Sequence, residues 1–172
     1  GLDSLVHFLT YKCNANCRHC FFLSEPNKES ELSKGDIFRV IKSIGKLKGL
    51  LISGGEPFLR EDLADIVIEY VLRCRVEVAS IPTNGFNTAG ILKAVITILE
   101  NCRNLSLTFA VSLDGLYGAH DKQRNFPGGF TKAIETMRQA SDLKKRYPLL
   151  RLLVVTVITP DNADSLRPIS EY

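Results

Sequence analysis

The sequence predicts an α/β chain built on parallel strands. Three observations carry that prediction. Short apolar, strand-like runs alternate with longer runs of helical period. The alternation repeats as five β-α units within 172 residues. Each of the first four strand-like runs ends in a loop of distinctive composition: "CNANCRHC" at 13–20, "SGGEP" at 53–57, "PTNG" at 82–85 and "SLDG" at 112–115. Strands buried on both faces and each followed by a helix pair in parallel through right-handed crossovers, which gives either a doubly wound open sheet or a barrel of the (β/α) kind. Five units cannot close an eight-stranded barrel, so the expected form is an open sheet or a partial barrel.

In chain order, the first strand is "LVHFLT", Leu5 to Thr10, and a helix of amphipathic period runs from about Ser33 to Leu47. "GLLIS" is the second strand, and a helix follows from about Asp62 to Arg73. "VEVASIP" is the third strand, leading to a helix over Thr88 to Asn101. "LSLTFAVSL", Leu105 to Leu113, is the fourth, and a long helix spans Phe130 to Tyr147. "LLRLLVVTVIT", rich in branched residues, is the fifth, with a further helix starting near Asp164. In parallel β/α folds the carboxyl ends of the strands share one face, and that face hosts active sites. All four distinctive loops therefore belong around one pocket.

A composition of 45% hydrophobic and 24% charged residues is that of a globular domain able to bury a real core. The longest apolar run, Leu152 to Ile158, falls far short of the roughly 18 residues of a membrane span, and "GLDSLVHFL" lacks a basic leader region, so a cytoplasmic protein is expected. Net charge is +3, and the basic residues are scattered at spacings that suit solvated helix faces, which does not demand nucleic acid. The chain opens on Gly1 and stops at Tyr172 inside the helix-starting stretch "DNADSLRPISEY". One core domain over 1–172, continuing past Tyr172 in a longer protein, is the expectation.

Of the five cysteines, Cys74 and Cys102 stand apart and read as ordinary thiols, while Cys13, Cys17 and Cys20 cluster. An odd count in this pattern argues against a disulfide framework and for reduced thiols or a metal site. Structural zinc takes four ligands in paired spacing, and no second pair follows here; a zinc site would need His19 or His7 to complete it. An iron–sulfur cube held by three thiolates leaves one iron open to bind a small molecule. A sealed, non-catalytic electron carrier would want a fourth protein ligand.

The spacing Cys-x3-Cys-x2-Cys in "CNANCRHC", with "GGEP" at 54–57, resembles the radical S-adenosylmethionine (radical SAM) enzymes. "SLDG", "HDKQR" and "PGGF", Ser112 to Phe130, are similar to the branch that includes molybdenum-cofactor enzymes, sulfatase maturases and peptide maturases. His19 departs from the Phe, Tyr or Trp that most members carry before the third cysteine. The resemblance covers essentially the whole chain and implies a partial, TIM-like (β/α)6 barrel with five strands present. It implies a [4Fe-4S] cluster on Cys13, Cys17 and Cys20 whose open iron chelates S-adenosyl-L-methionine. An electron from a donor such as a flavodoxin or ferredoxin then yields a 5'-deoxyadenosyl radical, which abstracts hydrogen from a small metabolite or peptide.

Under that resemblance, Gly54 and Gly55 permit a close backbone approach, Glu56 offers its carboxylate to the methionyl ammonium and Pro57 fixes the turn. Alone, "GGEP" would read as a strand-to-helix turn. Thr83 and Asn84 are expected beneath the adenosine, with Gly85 at positive φ, although Asn-Gly is also a common turn pair. Ser112 resembles the serine that touches the methionyl carboxylate. Asp114 is expected either on ribose or carboxylate oxygens or as a cap before Gly115. Arg124, twelve residues after Ser112, resembles the arginine that pairs with the methionyl carboxylate in sulfatase-maturase relatives. His7 is expected to pack inside the fold; His120 and Asp121 are expected to organise the loop before Arg124, with His120 able to face substrate.

Overall fold

The computed structural model describes residues 2–21 and 31–171. Five strands alternate with helices: β1 (Ser4–Thr10), α1 (Lys34–Ser43), β2 (Gly49–Gly54), α2 (Leu63–Cys74), β3 (Val78–Thr83), α3 (Thr88–Asn101), β4 (Ser106–Ser112), α4 (Gly118–Arg124), α5 (Gly129–Leu143), β5 (Leu150–Val155) and α6 (Leu166–Glu171). Single 3₁₀ turns at Pro57–Leu59 and Ala163–Ser165 complete it.

All strand pairs are parallel and their order in the sheet is β1-β2-β3-β4-β5, the order of the chain. That order decides between the two architectures that periodicity leaves open. A doubly wound sheet reverses direction at a switch point and is covered by helices on both faces. Consecutive neighbours joined by right-handed crossovers put every helix on one face, which is the winding of a barrel wall. The sheet is not closed, since β5 pairs with β4 and not with β1.

Register sorts the side chains. Leu50, Ala79, Leu107 and Leu150 are aligned partners through the sheet and lie at most 3% exposed beneath the helices. Ile52, Ile66, Ile91 and Ile98 are sealed at 0% in the same core. Each such side chain contributes about 1.5–3 kcal/mol by leaving water. The opposite face is the inner one of the partial barrel and is open: Val6 is 50% and Leu153 51% exposed. His7 faces the helices, where its Nδ1 lies 3.0 Å from the Tyr70 hydroxyl; it packs in the fold as expected.

The helices begin where local chemistry tells them to. Ser33 caps α1 by accepting from the Asp36 amide, and Asp36 accepts in return from the Ser33 amide. Asn87 Oδ1 accepts from the Gly90 amide at the start of α3. The expected helix to Leu47 ends instead at Ser43, because the chain turns out at Ile44 and the Leu47 amide is taken by the Cys74 carbonyl. Likewise α5 stops at Leu143 and resolves into turns before Tyr147. Helix α4 lies in what reads as loop; seven residues are too few to display a helical period. Among the described residues no helix is long and apolar enough to cross a membrane.

Among the described residues, strand β5 is an edge with no further strand paired to it, and Leu153, Val154 and Val155 are exposed. Such an edge templates pairing with another chain. The 172-residue chain should therefore self-associate as concentration rises, and Val155→Lys should return it to monomer; light scattering after size exclusion reads both. A wild-type chain that stays monomeric at high concentration would refute the inference.

Candidate functional site

Strand β1 ends at Thr10, and the three-cysteine stretch that follows has neither helix nor strand of its own. Its shape is imposed from two sides. On the first, the exit of β2 docks on its root: the Gly55 amide donates to the Thr10 carbonyl and the Glu56 amide to the Lys12 carbonyl, each at 2.8 Å. A Cβ on Gly54 would stand 2.3 Å from the Thr10 carbonyl oxygen, and one on Gly55 2.3 Å from that of Lys12. Gly54 also adopts φ +132, a conformation that disfavours other residues. The collision avoided at "GGEP" is thus with the backbone leading to Cys13.

Glu56 carries the connection to β3. Its side chain is 3% exposed and accepts from the Phe58 amide, the Thr83 hydroxyl at 2.8 Å and the Asn84 amide at 2.7 Å. Asn84 in turn donates from Nδ2 to Asn14 Oδ1 at 2.7 Å, inside the cysteine stretch. Gly85 has φ +79 and sits so close to α5 that a Cβ would meet the Ala133 Cα at 3.0 Å. The motifs expected to contact one small molecule are first bonded to each other. Burial pushes the Glu56 carboxyl up to about 7, against hydrogen bonds from Asn84, Thr83 and Phe58 that favour the anion. Pro57 is buried in the turn beneath this network and does not line the cleft.

On the second side, α4 meets the stretch from above β4. The Arg18 amide donates to the Gln123 carbonyl at 3.0 Å, Gln123 Nε2 lies 2.9 Å from His19 Nδ1, and Arg124 Nη1 lies 3.6 Å from Cys17 Sγ. The backbone bends sharply at both ends of this helix, with φ 49 at Tyr117 and at Asn125. Asp114 is fully buried behind it. Its Oδ1 accepts from the Val157 amide at 2.9 Å, and its Oδ2 is 2.6 Å from Arg124 Nε, an ion contact that is off-line for a hydrogen bond. Of the two roles expected of Asp114, a cofactor contact or a cap before Gly115, the structure shows a side chain at 0% exposure, outside the cleft lining, engaged with Arg124 and with Val157 after β5.

The cleft left between these groups has a volume of about 320 Å³. Cys13, Cys17, Cys20, Gly54, Gly55, Glu56, Thr83, Asn84, Ser112 and Arg124 all line it, brought from β1, β2, β3, β4 and α4. All five cysteines are free thiols. Burial pushes the Cys13 thiol up to about 11 and raises that of Cys17, where the Arg124 guanidinium opposes the shift. A metal taken up here has to displace those protons. Among the described residues no three His, Cys, Asp or Glu side chains converge on one point as a mononuclear ion needs; His7 faces the helices and His19 is engaged by Gln123.

Sequence reasoning missed Gln123, because a glutamine in a short helix carries no signal until its partner is known. His120 does not face the cleft: its ring is buried and Nδ1 accepts from the Asp114 amide at 3.1 Å. Asp121 organises the following loop, accepting from the Gly128 and Phe130 amides. Cys74 and Cys102 are buried in the core.

A singly wound parallel sheet with three thiols and a glycine-lined turn at its carboxyl edge defines a partial β/α barrel with a cleft at that edge. The family model described as the Radical SAM superfamily matches residues 8–170, and the chain belongs to that superfamily of enzymes. It is 31% identical over 163 residues to a probable GTP 3',8-cyclase of Archaeoglobus fulgidus, a match covering 92% of this chain and 51% of that one. It is 28% identical over 134 residues to pre-heme d1 synthase of Dinoroseobacter shibae, covering 76% of this chain and 31% of that one. The chain thus spans about half or less of the length of these two relatives. The solved structure of native anSMEcpe with bound AdoMet shares the fold, with a TM-score of 0.69 at 21% identity, covering 100% of this chain and 48% of that one.

The Glu56 proton is held to about pH 7 in the folded protein, whereas an unperturbed carboxyl releases it near 4.5. Its contribution to stability is therefore complete below 4.5 and is lost as pH rises through 7. Glu56→Gln should flatten that part of the pH–stability curve, read as urea midpoints of the metal-free protein at the two ends of the window. An unaltered slope in the variant would assign the titration elsewhere.

Proposed function

We propose that this chain is the core of an enzyme that cleaves S-adenosyl-L-methionine reductively and uses the resulting radical on a substrate. The observation that supports this most is that Cys13, Cys17, Cys20, Gly54, Gly55, Glu56, Thr83, Asn84, Ser112 and Arg124 line one cleft. In this reading Cys13, Cys17 and Cys20 hold a [4Fe-4S] cluster, and no fourth ligand is assigned, which leaves one iron for the cofactor. When bound, the cluster and cofactor together supply the electron transfer and the 5'-deoxyadenosyl radical that takes hydrogen from the substrate.

The chain's own residues bind and orient. Backbone of Gly54 and Gly55 forms one wall, and Glu56 presents a carboxylate whose buried position favours a cationic ammonium as partner. Thr83 and Asn84 form the floor for the nucleoside. Ser112 supplies a hydroxyl, and Arg124 a planar fork of donors, to the methionyl carboxylate. Asp114 lies within 2.6 Å of the Arg124 Nε and acts as a positioning residue for that fork. The substrate class is a small metabolite or a peptide, and a flavodoxin or ferredoxin in the cytoplasm is the proposed electron donor.

Anaerobic reconstitution tests the cluster. Cys13→Ala, Cys17→Ala and Cys20→Ala should each abolish iron uptake, and Cys74→Ala and Cys102→Ala should leave it intact. Normal iron content in the Cys17→Ala protein would sink the assignment.

Arg124→Ala should weaken S-adenosyl-L-methionine binding by about tenfold or more, the loss of a charge-assisted hydrogen bond of roughly 2 kcal/mol. Because that change strands Asp114 buried and unpaired, the same titration belongs on the Asp114→Asn/Arg124→Ala protein. Wild-type affinity in both would give this arginine another role.

A further inference from the structure

The cysteine stretch is fastened on the Cys13 side by main-chain bonds from Gly55 and Glu56 and by Asn84, all near residues 10 to 14. Nothing from β2 or β3 reaches as far as Cys17 to Cys20 among the hydrogen bonds described; that half is met by α4 and, at longer range, by Asp114 in the turn before it. Two of the α4 contacts run through Gln123. Its carbonyl takes the Arg18 amide, and its side-chain amide lies 2.9 Å from His19 Nδ1. Gln123 is 4% exposed and does not line the cleft, so it is placed to act on the thiols only through the loop that carries them.

We propose that Gln123 is a positioning residue that, through His19, holds the Cys17–Cys20 half of the loop in the geometry that keeps iron bound. This rests on the cluster reading above. His19 sits between Cys17 and Cys20 in sequence, and its ring is bounded by Gln123 on Nδ1 and by Asp114 Oδ2 at 3.9 Å from Nε2. Gln123 thus supplies the ring's hydrogen bond, while Asp114 at 3.9 Å stands beyond hydrogen-bond reach. The same Gln123 amide lies 3.4 Å from the Thr159 hydroxyl, a weaker contact to the exit of β5. The planar ring at position 19, which departs from the aromatic residues of similar enzymes, here gains a hydrogen-bonding partner that a phenyl ring cannot use.

The test is iron release from the anaerobically reconstituted protein to a ferrous chelator, with the reduced cluster's electron paramagnetic resonance spectrum as a second readout. Gln123→Ala should release iron about fivefold faster than wild type, the effect of one side-chain hydrogen bond of about 1 kcal/mol, and should shift the spectrum. In a His19→Phe background the same Gln123→Ala change should alter neither, because the partner is already gone. Equal release in wild type and Gln123→Ala overturns the proposal. So does a fivefold effect that persists in the His19→Phe background, which would place Gln123's role at Thr159 or in the fold. A wild-type protein that assembles no iron refutes the cluster reading itself, and this inference with it.

Discussion

The site depends on a segment that cannot shape itself. Residues 13–20 form neither helix nor strand, so their conformation is decided by what the neighbouring strand ends supply. The tightest constraint is the contact of β2's exit with β1's exit, where two main-chain hydrogen bonds of 2.8 Å close over a gap too small for a Cβ at Gly54 or Gly55. Backbone amides are obligatory donors, and pairing them across a steric minimum leaves one arrangement of the chain ahead of Cys13. From there the order passes through Glu56 to Thr83 and Asn84, and back through Asn84 to Asn14.

That chain of contacts exists because the sheet is wound in one direction. Consecutive strands are spatial neighbours, so the loops after β1, β2, β3 and β4 stand side by side along one edge. In a doubly wound sheet the loops would divide on either side of a switch point. Helices α1, α2, α3 and α5 pack on one face and bury Ile52, Ile66 and Ile91. The inner face keeps apolar residues in the open, among them Val6, Leu51 and Leu153.

Charge is distributed with the same economy. Asp114 is fully buried, and such a carboxylate is tolerable only with a close cation and a donor. Arg124 and the Val157 amide provide these, and in doing so bring a guanidinium to the cleft beside Cys17. Glu56 has hydrogen-bond donors but, among the described residues, no ion pair, and burial pushes its carboxyl up to about 7. One buried acid is thus compensated by a cation, the other by hydrogen bonds.

The sequence by itself determined the alternation of strands and helices, the placement of the distinctive loops at strand ends, and the three thiols with their glycine turn. These are local in kind: periodicity within a run, residue types at fixed spacing, and glycines where a side chain would collide. Only the tertiary structure decided the single winding of the sheet, the inward turn of Asp114 away from the cleft, and the docking of α4 on the cysteine stretch. Asn84 reaches Asn14 over 70 residues and Arg124 reaches Cys17 over 107. Such partners share no period and no motif, and α4 is shorter than the repeat that would reveal it. Their pairing follows from which strand ends the fold makes adjacent, and adjacency is a property of packing that no stretch of sequence contains alone.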